Sequence, residues 1–279
     1  MTAPKQQKFS FSSPEKIQNN IIIGTSGYYY EDWKGNFYPH HMNKKDMLPF
    51  YAEHFYAVEL NFTYYGIPKA AAVSHMVSAA PDNFFFVVKA NKEMTHEIGR
   101  DSVYDEFKKA IEPIYNTEKL GGVLAQFPGS FNNESEGRKY ITQLRSKMPG
   151  YPLIIEFRNK TWQNQQALDL LALNDCAYCC VDEPALPELP DSRIAFTANP
   201  AYIRFHSRNA SKWYTQDGKE RYNYLYNDAE LKEWVPKISS LSKQAQKVFI
   251  FFNNCYSGYA ARNAKQLKKL LETNSIFKS

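Results

Sequence analysis

Residues 153–162 read LIIEFRNKTW. The stretch opens as a buried β-strand, with three apolar, mostly β-branched residues in a row. It then places Glu156 and Arg158 two apart, which on a strand puts both side chains on one face. Strands that are apolar almost throughout belong to a sheet covered on both sides. Similar runs recur along the chain: IIIG at 21–24, YAVELN at 56–61, FFFVVKA at 84–90, GGVLAQF at 121–127, AYCCVD at 177–182, AYIRFH at 201–206 and KVFIFFNN at 247–254. With PLIIEFR at 152–158 they make eight, spaced by roughly one strand plus one helix.

Apolar residues at helical spacing fill most of the intervals, over 44–55, 69–80, 101–115, 134–148, 164–174, 228–241 and 258–272. The exception is EPALPELPDSRIAFTANP at 183–200, whose four prolines read as an extended loop. Strands alternating with helices imply parallel pairing through right-handed crossovers. Eight such units predict an α/β fold, a TIM-like (β/α)8 barrel, with a largely non-helical connection between strands 6 and 7. A doubly wound open sheet is the competing architecture. It favours a first turn of the GxGxxG kind, and GTSGYYY at 24–30 does not fit that pattern. No domain-sized linker interrupts the alternation. The expected organisation is a single barrel domain over 20–279 behind a flexible N-terminal extension, 1–19.

The composition agrees. Hydrophobic residues make up 43% of the 279, enough for one large core, and the net charge of +5 permits an anionic partner without demanding one. No run approaches the roughly 18 apolar residues of a membrane span, and the polar N-terminus lacks the apolar core of a secretory signal. Cys176 and Cys179 have CxxC spacing, but no second ligand pair follows. Together with Cys180 and Cys255 they read as free thiols, which points to the cytoplasm.

Each strand turns polar at its C-terminal end. Glu59 and Asn61 end strand 2, Lys89 ends strand 3 with His96 in the following loop, and Gln126 ends strand 4. Glu156 and Arg158 end strand 5, Asp182 strand 6, Arg204 and His206 strand 7, and Asn253 and Asn254 strand 8. The outer face of a barrel strand packs on helices, where an unpaired charge is costly. The polar residues are therefore expected to point inward at the mouth, where barrel enzymes keep their active sites. Arg158, Arg204 and Lys89 would hold a phosphate or carboxylate. Glu156, Asp182 and His206 would move protons. Glu59, Asn61, His96, Asn253 and Asn254 would contact the substrate. The competing reading is that these charges only pair with one another across the top layer.

Two loops stand over this mouth, GYYYEDWKGNFYPHH at 27–41 and SRNASKWYTQDGKERYNYLYND at 207–228. The second interleaves Arg208, Lys212, Lys219 and Arg221 with Trp213 and several tyrosines. Aromatics among cations can stack bases or sugars while the cations hold phosphates, so Trp213 is a candidate contact. The plainer reading has the tyrosines covering the rim. Ser257 is a candidate helix N-cap, whose amides could receive an anion. No cofactor is required by the sequence. Glu59, Glu156, Asp182 and His206 could together hold one divalent cation, although histidines are few at the strand ends.

Seven stretches in order, IGTSGYYYEDWKGNFYP, VELNFTYYGIP, FFFVVKANKEMTH, GGVLAQFP, IIEFRNKTW, YIRFH and FFNNCYSGYAARNA, span residues 21–272. Through them the chain resembles the YecE-like family (domain of unknown function 72). The resemblance implies a TIM-barrel-like fold and leaves the activity undefined. A likeness to barrel endonucleases acting on damaged DNA has been entertained for the family; the few strand-end histidines here speak against a three-zinc mechanism. Two positions depart from the family's pattern. Ser207 replaces glycine in His-Gly-Arg, and Cys255 replaces an acidic residue after the two asparagines. The expected function is a hydrolase- or isomerase-type barrel enzyme for an anionic small molecule. The alternatives are a nucleic-acid-binding or endonuclease-like protein and a non-catalytic small-ligand-binding protein.

Overall fold

The computed structural model describes residues 20–215 and 220–274. The extension expected over 1–19 and Lys219 of the strand-7 loop lie outside the described residues. The eight strands are β1 (Ile21–Ser26), β2 (Ala57–Leu60), β3 (Phe85–Lys89), β4 (Leu120–Gln126), β5 (Leu153–Glu156), β6 (Cys176–Asp182), β7 (Ala201–Phe205) and β8 (Val248–Phe252). All are parallel, and they close in chain order because β1 pairs with both β2 and β8, with Ile21 opposite Val248. The predicted (β/α)8 barrel is therefore the observed fold.

The period of two along each strand sorts side chains between two compartments. Ala57, Val87, Leu124, Ile154, Cys179, Tyr202, Phe249 and Phe251 fill the barrel interior. Their neighbours Val58, Val88, Val123, Ile155, Cys180, Ile203 and Ile250 pack outward against the helices. Each fully buried aliphatic or phenylalanine side chain contributes about 1.5–3 kcal/mol relative to exposure. Gly24 meets a steric demand: a Cβ there would lie 2.1 Å from the Ala57 carbonyl oxygen, so β1 and β2 approach only through glycine.

The helices are α1 (Lys44–Ala52), α2 (Phe62–Tyr65), α3 (Ala70–Ser78), α4 (Val103–Asn116), α5 (Ser135–Lys147), α6 (Gln165–Leu173), α7 (Asp228–Lys232), α8 (Val235–Ser242) and α9 (Tyr259–Thr273). Two differ from expectation. The single turn α2 follows β2 directly. The helix expected over 228–241 breaks in two between α7 and α8. Pro236 near the start of α8 has no N–H to give, and its ring would clash with a carbonyl one turn back. The connection 183–200 carries no helix, as predicted. Among the described residues no helix is long and apolar enough to cross a membrane.

Candidate active site at the barrel mouth

The question raised by Glu156 and Arg158 is answered by a chain of alternating charges across the top of the barrel. Tyr202 donates from its hydroxyl to Glu59 Oε2 at 2.7 Å. Arg204 donates to Glu59 Oε1 at 2.7 Å and to Glu156 Oε2 at 2.6 Å. Arg158 Nε lies 2.6 Å from Glu156 Oε1, and Arg158 Nη1 donates to Glu183 Oε2 at 2.8 Å. Glu59 and Glu156 are fully buried, and Arg204 nearly so. Since β2 and β7 are not sheet neighbours, the Arg204–Glu59 pair crosses the interior. Much of the charge at strands 2, 5 and 7 is thus neutralised internally, as the competing reading anticipated.

Protonation follows from these contacts. Burial alone would raise Glu156, but Arg204 and Arg158 outweigh it and hold the carboxyl well below its ordinary range. His206 is fully buried between Glu156 Oε1 at 3.2 Å and the Asn253 side-chain amide at 3.0 Å. Burial, reinforced by Arg158, pushes it well below its ordinary value, so it is neutral. Burial raises Glu183 to about 7 despite Arg158. Lys89 falls to about 8, chiefly through burial and then through the repulsion of Arg204, against the pull of Glu156 and Glu59.

Above the chain of charges lies a cavity of about 1070 Å³. Its walls come from the ends of β3 and β4 (Lys89, Gln126) and from Asn61, Arg158, Arg204 and Asn253. Loops add Tyr29, Tyr30, Glu31 and Asp32 after β1, Tyr64 and Tyr65 after β2, Arg221 and Tyr222 after β7, and Cys255, Tyr256 and Ser257 after β8. Lys89 Nζ donates to Gln126 Oε1 at 2.9 Å and sits 4.4 Å from the Tyr64 ring centroid. Three buried polar atoms of the lining residues make no hydrogen bond among the described residues: Asn61 Oδ1, Arg204 Nε and Arg158 Nε, the last of which meets Glu156 as an ion pair only. Such atoms usually have one when buried.

The structure gathers Glu59, Asn61, Lys89, Glu156, Arg158, Arg204, His206 and Asn253 at the mouth, as expected. Other placements differ. Asp182 points to the outer side of β6. There it is fully buried and accepts from Trp234 Nε1 at 2.6 Å, Arg208 Nη2 at 2.7 Å and the Tyr226 hydroxyl at 2.9 Å. The next carboxylate, Glu183, takes its place on the inner side, because Val181 and not Asp182 shares the interior parity. Asn254 is likewise turned away, donating to the Tyr224 carbonyl and Asn263 Oδ1, both at 2.8 Å. Trp213 is buried beneath Arg158 and Arg221, 5.5 and 5.1 Å from their guanidinium carbons, rather than offered for stacking. His96 stands against Tyr64, with ring centroids 5.1 Å apart; burial, then Lys89, lowers it to about 4.

The four-residue metal set does not assemble. Asp182 lies outside the barrel wall, and Glu59 and Glu156 hold Arg204 between them. Among the described residues no group of three or more His, Cys, Asp or Glu side chains is placed to hold a metal ion. Nor is the Ser257 amide open to an anion: it already donates to Asp32 Oδ2 at 2.8 Å, and Gly258, not Ser257, is the cap. Both departures from the family pattern serve locally. Ser207 Oγ accepts the Asn209 N–H at 2.9 Å; Cys255 Sγ donates to the Ser26 carbonyl at 3.2 Å, and burial raises its thiol to about 12. Sequence reasoning passed over Glu183 and the tyrosines at 64 and 65. For Glu183 the signal was available, since it lies two residues beyond inward-facing Val181.

The family model described as "Protein of unknown function DUF72" matches residues 22–278. The chain belongs to the DUF72 family. The DUF72 relatives it resembles cover nearly all of it. UPF0759 protein YunF of Bacillus subtilis is 33% identical over 270 residues, 90% of this chain and 95% of its own length. A DUF72 family protein from Thermotoga maritima superposes with a TM-score of 0.84 at 39% identity, covering 90% of this chain and 99% of that one. One from Enterococcus faecalis gives 0.81 at 29%, covering 90% and 95%. The DUF72 barrel of the solved relatives is the barrel found here.

Proposed function

We propose that the chain is a barrel enzyme that binds a small phosphate- or carboxylate-bearing substrate in the mouth cavity and transfers a proton at Lys89. One observation carries this reading. The arginines of the charge chain, Arg158 and Arg204, are matched by carboxylates, whereas among the described residues Lys89 Nζ contacts the neutral Gln126 amide and the Tyr64 ring and is held by no carboxylate. A lysine shifted to about 8 can give and take a proton near neutral pH. The roles first expected of Glu156 and His206 become structural, since one is locked as an anion between two arginines and the other is buried and neutral. Arg221 at the rim and the unpartnered Arg204 Nε supply further positive character for the anion. Hydrolysis and isomerisation both use such a proton transfer. The four unpaired cysteines suit a reducing compartment, the cytoplasm.

The test is a thermal-shift screen of sugar phosphates, nucleotides and small carboxylates. A ligand at 100 times its dissociation constant stabilises by roughly 2.7 kcal/mol. The expected result is a stabilising anion that Lys89→Met no longer recognises, followed by turnover of that compound. Binding without turnover would make the chain a ligand-binding protein; stabilisation retained in full by Lys89→Met would sink the role given to Lys89.

A second reading rests on the rim. Tyr29, Tyr65 and Tyr256 line the cavity yet remain exposed, Tyr65 by 79%. They could stack the bases of a single strand. That reading requires oligonucleotide binding that weakens steeply with salt and fails on Tyr65→Ala.

A further inference from the structure

Lys89 combines features that proton transfer alone does not demand. It is held near the cavity floor at the end of β3, among the groups of the charge chain. The carboxylates that would ordinarily pair with it are occupied: Arg204 takes one oxygen of Glu59 and one of Glu156, and Arg158 takes Glu183. The contrast with other lysines is chemical. Lys34 and Lys92 pair with Glu31 and Glu97 on the surface, and buried Lys119 donates to the Ala80 carbonyl at 2.9 Å. A desolvated amine without a carboxylate, beside other cations, is the arrangement that lowers a lysine's proton affinity and makes its neutral, nucleophilic form accessible. The amine also faces open space large enough for a small molecule.

We propose that Lys89 is an amine nucleophile, and that the cavity takes a small carbonyl compound bearing an anionic group, which condenses with Nζ as an imine. The inference rests on the reading that the cavity receives an anion, and it narrows the substrate to aldehydes and ketones. The neutral amine adds to the carbonyl carbon as the C=O π pair moves to oxygen. One amine proton passes to that oxygen, giving a carbinolamine. The C–O bond then breaks, and the oxygen leaves as water with the second amine proton, forming C=N. Amine plus carbonyl becomes imine plus water, with no oxidation or reduction. The charged and titratable groups facing Nζ are Arg204, Arg158, Glu156, Glu59, Tyr64 and His96.

The experiment uses the full chain and two probes, glyoxylate and pyruvate, each with borohydride added to reduce any imine to a stable amine. Mass spectrometry of the digested protein locates the adduct. The expected result is one saturable adduct on Lys89, formed on the order of tenfold faster than on any surface lysine and absent in Lys89→Arg. Its rate should rise with pH to half-maximum near 8, the value to which burial and the arginines bring this amine. Labelling spread over surface lysines with Lys89 spared overturns the proposal, as does an unchanged adduct in Lys89→Arg. Should Lys89→Arg fail to fold, competitive acetylation of the wild-type chain reads the same amine; a Lys89 acylation profile like that of surface lysines overturns the proposal equally. Thermal shifts with the same probes, without borohydride, separate the two ideas. Stabilisation abolished by Lys89→Met but no adduct sinks the imine alone. Neither stabilisation nor adduct sinks both.

Discussion

Arg204 holds Glu156 across the floor of the mouth at 2.6 Å, with both side chains essentially removed from water. The same guanidinium holds Glu59 on its other side. Truncating one member of a buried pair leaves its partner charged and unmatched, which typically destabilises by about 3–5 kcal/mol. Arg204→Met strands Glu59 and leaves Glu156 with Arg158 alone, and should reach that range in denaturant unfolding. The triple variant Glu59→Gln, Glu156→Gln, Arg204→Met should lose less than the single one. A loss under about 1 kcal/mol for Arg204→Met would contradict the pairing.

Glu183 should make stability fall as pH rises through the weakly acidic range. Its folded value, about 7, lies above the ordinary carboxyl value of 4.5. The folded state therefore holds a proton that the unfolded chain has released. The contribution is fully present below about pH 4.5 and is lost as pH climbs through 7. Melting curves of the wild type and Glu183→Gln should diverge over this window, the wild type losing ground as pH increases. Parallel profiles would remove the assignment.

Lys89 gives the opposite sign. Its folded value is depressed, from 10.5 to about 8. Its contribution is present above 10.5 and disappears as pH falls through 8. At pH 7 the charged amine is a liability, so Lys89→Met should melt no lower than the wild type. The advantage of the variant should shrink between pH 8 and 10.5. A clear loss of stability at pH 7 would show that Lys89 has a structural partner.

Asp182 predicts a separation of stability from chemistry. Its carboxylate collects Trp234, Arg208 and Tyr226 outside the barrel wall. Asp182→Asn swaps an acceptor oxygen for a donor among these donors and should destabilise by roughly 2–4 kcal/mol. The acetylation rate of Lys89 should stay within twofold of the wild type at temperatures where the variant is folded. A tenfold change would connect the two compartments.

The barrel was legible because apolar runs and helical spacing repeat eight times, each run confirming the next. Two of the misplacements amount to a single residue. Asp182 and Asn254 were placed at the mouth because they end their strands, yet strand ends do not decide direction. The period of two does: counting from Cys179 and Val181 leads inward to Glu183, and counting from Phe249 and Phe251 leads inward to Asn253. The pairings were hidden for a different reason. Arg204 meets Glu59 across the barrel, a distance of 145 residues along the chain and several strands around the sheet. No local spacing reports which cation will meet which carboxylate there. The burial of Trp213 was hidden too, since a basic, aromatic loop reads the same whether its ring faces in or out.

The closed sequence from Tyr202 through Glu59, Arg204, Glu156 and Arg158 to Glu183 also limits how the mouth can respond to a new charge. Each ion in it already holds an oppositely charged neighbour at fixed distance. When Nζ gains or loses a proton, or becomes a cationic imine, few of these groups can swing toward it. The protein's own contribution to solvating that event is therefore small and set in advance. The remaining compensation must arrive with the incoming molecule, which makes the substrate's own charge part of the solvent in which it reacts.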